Sequence, residues 1–155
     1  MIKFFFLCTA SLVLSLLLGV AAASGKDKPV NSTTFGSLAL HGYDPVAYFT
    51  DHKPVEGKKT FAFEWQGATW LFANEADEAL FKAHPDKYAP QYGGYCAYAV
   101  SKKKLVDIDP EAWEIVNDKL YLNYSKKVQE TWRKDRDSYI SQANQNWPQL
   151  IEPAK

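Results

Sequence analysis

Thr60-Phe61-Ala62-Phe63-Glu64-Trp65-Gln66-Gly67-Ala68-Thr69-Trp70-Leu71-Phe72-Ala73-Asn74 is the stretch whose reading decides the fold. Its first six residues alternate. Phe61, Phe63 and Trp65 share one face and Ala62 and Glu64 the other, the period of a half-buried strand. Gln66-Gly67-Ala68 turns the chain, and Thr69–Ala73 returns as the antiparallel partner. Asn74 then stands where a helix N-cap accepts a free backbone N–H, and Glu75, Asp77 and Glu78 suit the positive end of the helix dipole. Ala76, Leu80 and Ala83 recur at helical spacing, with Phe81 beside them, until His84-Pro85 ends the helix.

Working outward, Asp44-Pro45 reads as a helix start or tight turn, with Asp able to bond a free N–H and Pro fixing φ. Thr50–Lys59 carries Pro54, Gly57 and several charges and is a connecting loop. Downstream, Tyr98-Ala99-Val100 and Leu105-Val106-Asp107-Ile108 suggest a second hairpin, with Lys102-Lys103-Lys104 at its tip, broken by Asp109-Pro110. Trp113–Val116 and Lys119–Asn123 suggest a third, joined by the two-residue turn Asn117-Asp118. Ser125 is a good N-cap for one long final helix, in which Val128, Trp132, Tyr139 and Ala143 step by four, seven and four. Trp147-Pro148 closes the domain. The expected fold class is α+β: small antiparallel β-hairpins packed against two main helices.

The 155-residue chain opens on Met1-Ile2-Lys3 and then runs apolar from Phe4 to Ala23. One basic residue, an apolar centre and Ala21-Ala22-Ala23 before Ser24 read as a secretory signal peptide over 1–23. Residues 24–37 read as a flexible leader, 38–148 as the folded domain and 149–155 as a C-terminal tail. Removing 23 of the 155 residues leaves 132, enough for a single core. Removing Lys3 leaves 17 basic residues against 18 acidic, so no global charge draws the chain to nucleic acid or anionic lipid. Expected partners are a small molecule or a metal ion, with no nucleic acid and no stable membrane insertion once the signal is gone. Asn31-Ser32-Thr33 and Asn123-Tyr124-Ser125 both fit the glycosylation sequon.

Several motifs in order resemble one family. Gly42-Tyr43-Asp44-Pro45-Val46-Ala47-Tyr48-Phe49 looks like the opening motif of the YHS domain. Trp70-Leu71-Phe72-Ala73-Asn74 followed by Phe81-Lys82-Ala83-His84-Pro85-Asp86-Lys87-Tyr88 is similar to its aromatic–helix–Phe-x-x-x-Pro-x-x-Tyr signature. Tyr92-Gly93-Gly94-Tyr95-Cys96-Ala97 and Leu120-Tyr121-Leu122-Asn123 resemble the longer, exported, single-domain branch. The similarity covers roughly residues 38–148. The resemblance implies metal binding through a cysteine soon after Asp-Pro-Val and others near the end of the second strand. Those places hold Ala47, Ala73 and Ala76, which have no donor atom, whereas a thiolate site for zinc or copper(I) needs two or more soft ligands.

Chemistry is sought in Pro90-Gln91-Tyr92-Gly93-Gly94-Tyr95-Cys96-Ala97-Tyr98-Ala99-Val100. Its glycine pair permits positive φ and close backbone approach. Its cysteine is the only one left once Cys8 departs with the signal, which rules out an intrachain disulfide. Three readings of this stretch stand open. Cys96 with His41, His84 or His52, plus Asp44 or a tyrosine, has donors suited to copper, although no two share a ligand spacing and His84 also suits a helix C-terminus. A thiol-dependent redox enzyme would need Cys96 as thiolate, with Gly93-Gly94 offering backbone N–H groups beside it. A non-catalytic module would bind a small ligand between tyrosines of the two motifs, expected to meet in space: Tyr43 and Tyr48 with Tyr92, Tyr95 and Tyr98. Against all three stands plain burial, of the thiol as a small hydrophobe and of the phenols as core residues bonding backbone.

No nucleotide-binding, zinc-protease, serine-hydrolase or c-type haem motif is present. The expectation is therefore an exported binding module holding copper or a small ligand around Cys96, with Tyr43, Asp44, Tyr48, Tyr92, Gly93, Gly94 and Tyr95 in contact and no catalytic residue assigned. The alternatives are the thiol enzyme and a purely structural or interaction domain.

Overall fold

The structure is a computed structural model that describes residues 28–151. The signal peptide expected over 1–23, the start of the leader and residues 152–155 lie outside the described residues. The architecture is α+β, with helices around two separate two-stranded antiparallel sheets. The elements in order are α1 (Ala47–Thr50), β1 (Lys58–Trp65), β2 (Ala68–Phe72), α2 (Glu75–Ala83), α3 (Pro85–Tyr88), α4 (Ala97–Ser101), β3 (Asp109–Val116), β4 (Lys119–Asn123), α5 (Lys126–Arg133) and α6 (Arg136–Leu150).

The first hairpin forms as its alternation dictates, pairing Phe63 with Trp70 and Trp65 with Ala68. Gln66 and Gly67 both take positive φ, the twist-matched geometry of a two-residue hairpin turn. Asn74 caps α2: its side chain accepts the Asp77 N–H at 2.9 Å while its own amide donates to the Asp77 carboxylate at 2.8 Å. His84 ends α2, donating its backbone N–H to Leu80 and Phe81. The hairpin β3–β4 turns through Asn117 and Asp118, again both at positive φ.

Two expected elements differ. Tyr98–Val100 is helix α4, not a strand. The Val100 N–H reaches the Cys96 carbonyl, and the Lys104 N–H folds back to Ala99, so the lysine run closes a short helix and not a hairpin. Lys103 at positive φ completes that reversal. The single long final helix is two helices, α5 and α6. Asp135 has extended φ (−146°) and its carbonyl accepts the Tyr139 N–H, so the chain restarts there. Among the described residues the main helices are accordingly α2, α5 and α6.

Strand β4 divides the interior. Leu120 and Leu122 face one cluster with Trp70, Phe72, Phe81, Val46 and Tyr48, while Tyr121 between them faces a second with Trp132, Ala143, Val100 and Tyr92. This is the period-two rule of a strand, with both faces buried. Phe81 lies at the centre of the first cluster, with rings of Trp65, Trp70 and Phe72 at 5.1–5.6 Å.

From Pro29 onward the expected flexible leader lies against the domain. Val30 is 2 % exposed, and the Asn31 N–H donates to the Gly93 carbonyl at 2.9 Å. The Asn31 side chain donates to the Gly94 carbonyl at 3.2 Å and to Asp107 at 2.8 Å. Composition suggested a loose segment; one apolar residue and one amide are enough to fasten it. Among the described residues no helix is long and apolar enough to cross a membrane.

Candidate functional site

Asp44 is fully buried, and its acceptor capacity is taken up by the chain itself. One oxygen accepts the Val46 N–H at 2.8 Å and the Ala47 N–H at 3.4 Å, the other the Ala73 N–H at 2.8 Å. Burial raises its carboxyl to about 6, opposed by the Ala73 and Val46 N–H groups and assisted by the neighbouring Asp77 carboxylate. Its role is to cap α1 and tie it to the end of β2.

The tyrosines of the two motifs use their hydroxyls in different places. Tyr48 is buried, donates to the Pro110 carbonyl at 3.0 Å, and packs edge-on to Trp113. Tyr92 reaches α6 instead, donating to Asn144 at 2.9 Å. Burial pushes the Tyr48 and Tyr92 phenols well above the usual range, as expected of hydroxyls shielded from water. Tyr43 pairs its backbone with Glu56. The Tyr95 hydroxyl donates to the Lys28 carbonyl at 3.3 Å, and its ring meets Trp147. For Tyr48, Tyr92 and Tyr95 the expected meeting of phenols in one cleft is replaced by separate bonds to backbone and amide acceptors.

Gly93 and Gly94 do take positive φ, and Gly93 does permit close backbone approach. A Cβ on Gly93 would lie 1.8 Å from the Pro29 carbonyl oxygen, so what approaches the glycine is the chain's own N-terminal segment.

The metal reading finds no donor set. His41 Nε2 bonds Asp107 at 2.8 Å, His84 ends α2, and Cys96 lies in the first core cluster. Among the described residues no group of three or more His, Cys, Asp or Glu side chains could hold a metal ion. The alanines at the thiolate places of the family pattern agree with this chemistry, and the described residues do not fit copper or zinc.

Cys96 is 1 % exposed. Its thiol donates weakly to the Asn123 side-chain oxygen at 3.8 Å, and the Asn123 amide nitrogen has no partner. Burial pushes the thiol up against the N–H groups of Ala99, Tyr124 and Tyr98, which favour thiolate. At neutral pH it is a thiol, not a nucleophile. Asn123 is itself fully buried, so the sequon it begins leaves no room for a glycan.

Cys96 nevertheless contributes to the wall of a surface pocket of about 230 Å³. Tyr98 and Ala99 of α4, Val106, Tyr124 and Val128 complete its apolar lining. The charged residues that line it are Lys102 and Lys104. Sequence reasoning singled out Cys96 and Tyr98 here but missed the remainder. In the sequence Tyr124 is only the middle of a sequon; its 57 % exposure just before α5 is visible in the structure alone. A larger pocket of about 320 Å³ lies between Trp65 and Trp147, bordered by Pro29 and Ile151 beside the two ends of the described segment.

Neither a curated protein nor a solved structure matches the chain. The family model for the YHS domain matches residues 46–92, from the capped turn of α1 through both strands and α2 to Tyr92. The order of motifs and this match agree: the chain contains a YHS domain over residues 46–92.

Proposed function

We propose that the protein is an exported binding module for a small apolar molecule, held in the pocket beside Cys96. The observation that carries the reading is an apolar cleft lined by Tyr98, Ala99, Val106, Tyr124 and Val128, while Asp44, Tyr48 and Tyr92 bond backbone and amide groups of the chain itself. The apolar run Phe4–Ala23 ending in three alanines supports export. Volume bounds the ligand. A cavity of roughly 150 Å³ accepts benzene, so about 230 Å³ admits one ring with a short substituent or a short alkyl chain. At about 0.8 kcal/mol per buried methylene, a six-carbon chain supplies on the order of 4 kcal/mol, a millimolar dissociation constant.

Affinity of that order suits titration by nuclear magnetic resonance. 1-Hexanol added to the protein shifts the methyl signals of Val106 and Val128 saturably, while those of Val46 and Leu120 in the core stay in place. Val128→Phe fills the pocket and removes the response. Uniform small shifts over all methyl groups, or none, would dispose of the reading.

A further inference from the structure

We infer that the pocket beside Cys96 selects a small amphipathic anion, an apolar ring or short chain ending in a carboxylate. The inference rests on the pocket reading above and adds the charge of the ligand.

Every charged side chain lining the pocket is basic: Lys102 and Lys104. Lys102 is held in place by aromatic faces. Its ammonium lies 4.7 Å from the ring centre of Tyr139 and 5.7 Å from that of Tyr98, and Tyr98 is part of the apolar lining. A cation therefore stands beside the hydrocarbon floor, where the head of an amphipathic anion would meet it. Neither lysine has an ion-pair partner among the salt bridges of the described residues, so no carboxylate among those residues competes for them.

A second feature adds charge of the same sign. Tyr124 and Val128 flank the start of α5, whose first turn carries Lys126 and Lys127 and no acidic residue. α2, by contrast, opens with Glu75, Asp77 and Glu78, the usual complement to the dipole. At α5 no first-turn carboxylate offsets the positive helix end, while the Lys126 ammonium donates to the Glu111 carbonyl. An apolar floor beneath such a rim favours a carboxylate over an alcohol, and an alcohol over an amine, when the tail is the same.

The experiment compares hexanoate, 1-hexanol and hexylammonium on the full domain at low ionic strength, reading the Val106 and Val128 methyl shifts. Hexanoate binds about fivefold tighter than 1-hexanol, the scale of two partly solvated ion contacts, and hexylammonium binds more weakly than either. Added salt narrows the gap. In the Lys102→Gln/Lys104→Gln double variant, hexanoate falls to the affinity of 1-hexanol while 1-hexanol itself is unchanged. Equal binding of the three compounds overturns the charge selection and leaves the pocket standing. Absence of binding by all three overturns both.

Discussion

The Asp44 carboxylate accepts the backbone N–H of Ala73 at 2.8 Å, joining the first turn of α1 to the end of β2 across 29 residues of chain. The same side chain accepts the N–H of Val46, so one buried group stitches the opening motif to the hairpin. Asp44→Ala leaves both N–H groups buried without an acceptor. At about 1–3 kcal/mol for each orphaned group, the variant loses roughly 2–5 kcal/mol, read as a lower urea midpoint with unchanged slope. A loss below about 0.5 kcal/mol would show that water or a rearranged turn takes over the role.

The same residue sets a pH dependence. Burial raises the folded-state carboxyl of Asp44 to about 6, above its unfolded value of 3.8, so the folded chain binds the proton more tightly. The stability this contributes is fully present below about pH 4 and is lost as pH rises through about 6, with an amplitude on the order of 3 kcal/mol. Unfolding free energy measured between pH 4 and pH 7 should therefore fall with rising pH, against the usual trend for carboxylates. In Asp44→Asn that component vanishes. An unchanged slope in the variant would assign the effect to other groups.

Gly93 and Gly67 separate two reasons for a glycine. Both take positive φ, but a Cβ on Gly93 meets the Pro29 carbonyl at 1.8 Å while one on Gly67 meets nothing within 4 Å. Gly67→Ala costs only the left-handed backbone term, about 1 kcal/mol. Gly93→Ala costs that and also dislodges the segment around Asn31. Amide exchange at Asn31, whose N–H is bonded to Gly93, speeds up in the second variant alone. Equal exchange in the two variants would mean that the segment yields without detaching.

The turn Asn117-Asp118 should improve on substitution. Asp118 has φ of +58°, and the first position already holds Asn, the residue favoured there. Asp118→Gly relieves the second position and stabilises the fold by about 0.5–1 kcal/mol, raising the melting temperature by a few degrees. A neutral or negative result would show that the Asp118 side chain supplies a compensating contact.

Much of this architecture was legible in the sequence because local rules governed it. The alternation of Phe61, Phe63 and Trp65, the caps at Asn74 and Ser125, and the Asn117-Asp118 turn each depend on residues a few positions apart. The errors came where distant contacts overrode a local pattern. Tyr98-Ala99-Val100 has strand-like residues, but α4 packs Ala97 and Val100 against Tyr121 and Trp132 in the second cluster, a choice no short window reveals. The tyrosine motifs stand out in the sequence, yet whether a phenol faces a ligand, a carbonyl or an amide depends on where Pro110 and Asn144 arrive. The expectation of an open Cys96 thiol gives way to a buried one, and Val106, Tyr124 and Val128 reach the pocket beside it from separate parts of the chain.

The double-sided burial of β4 has a further result. The family match ends at Tyr92, yet the cluster around Phe81 is completed by Leu120 and Leu122 from beyond that border. Cut out alone, the matched segment would present its aromatic interior to water. In this protein the inherited unit and the unit that melts are different objects, and grafting the shorter one elsewhere would require its missing wall to travel with it.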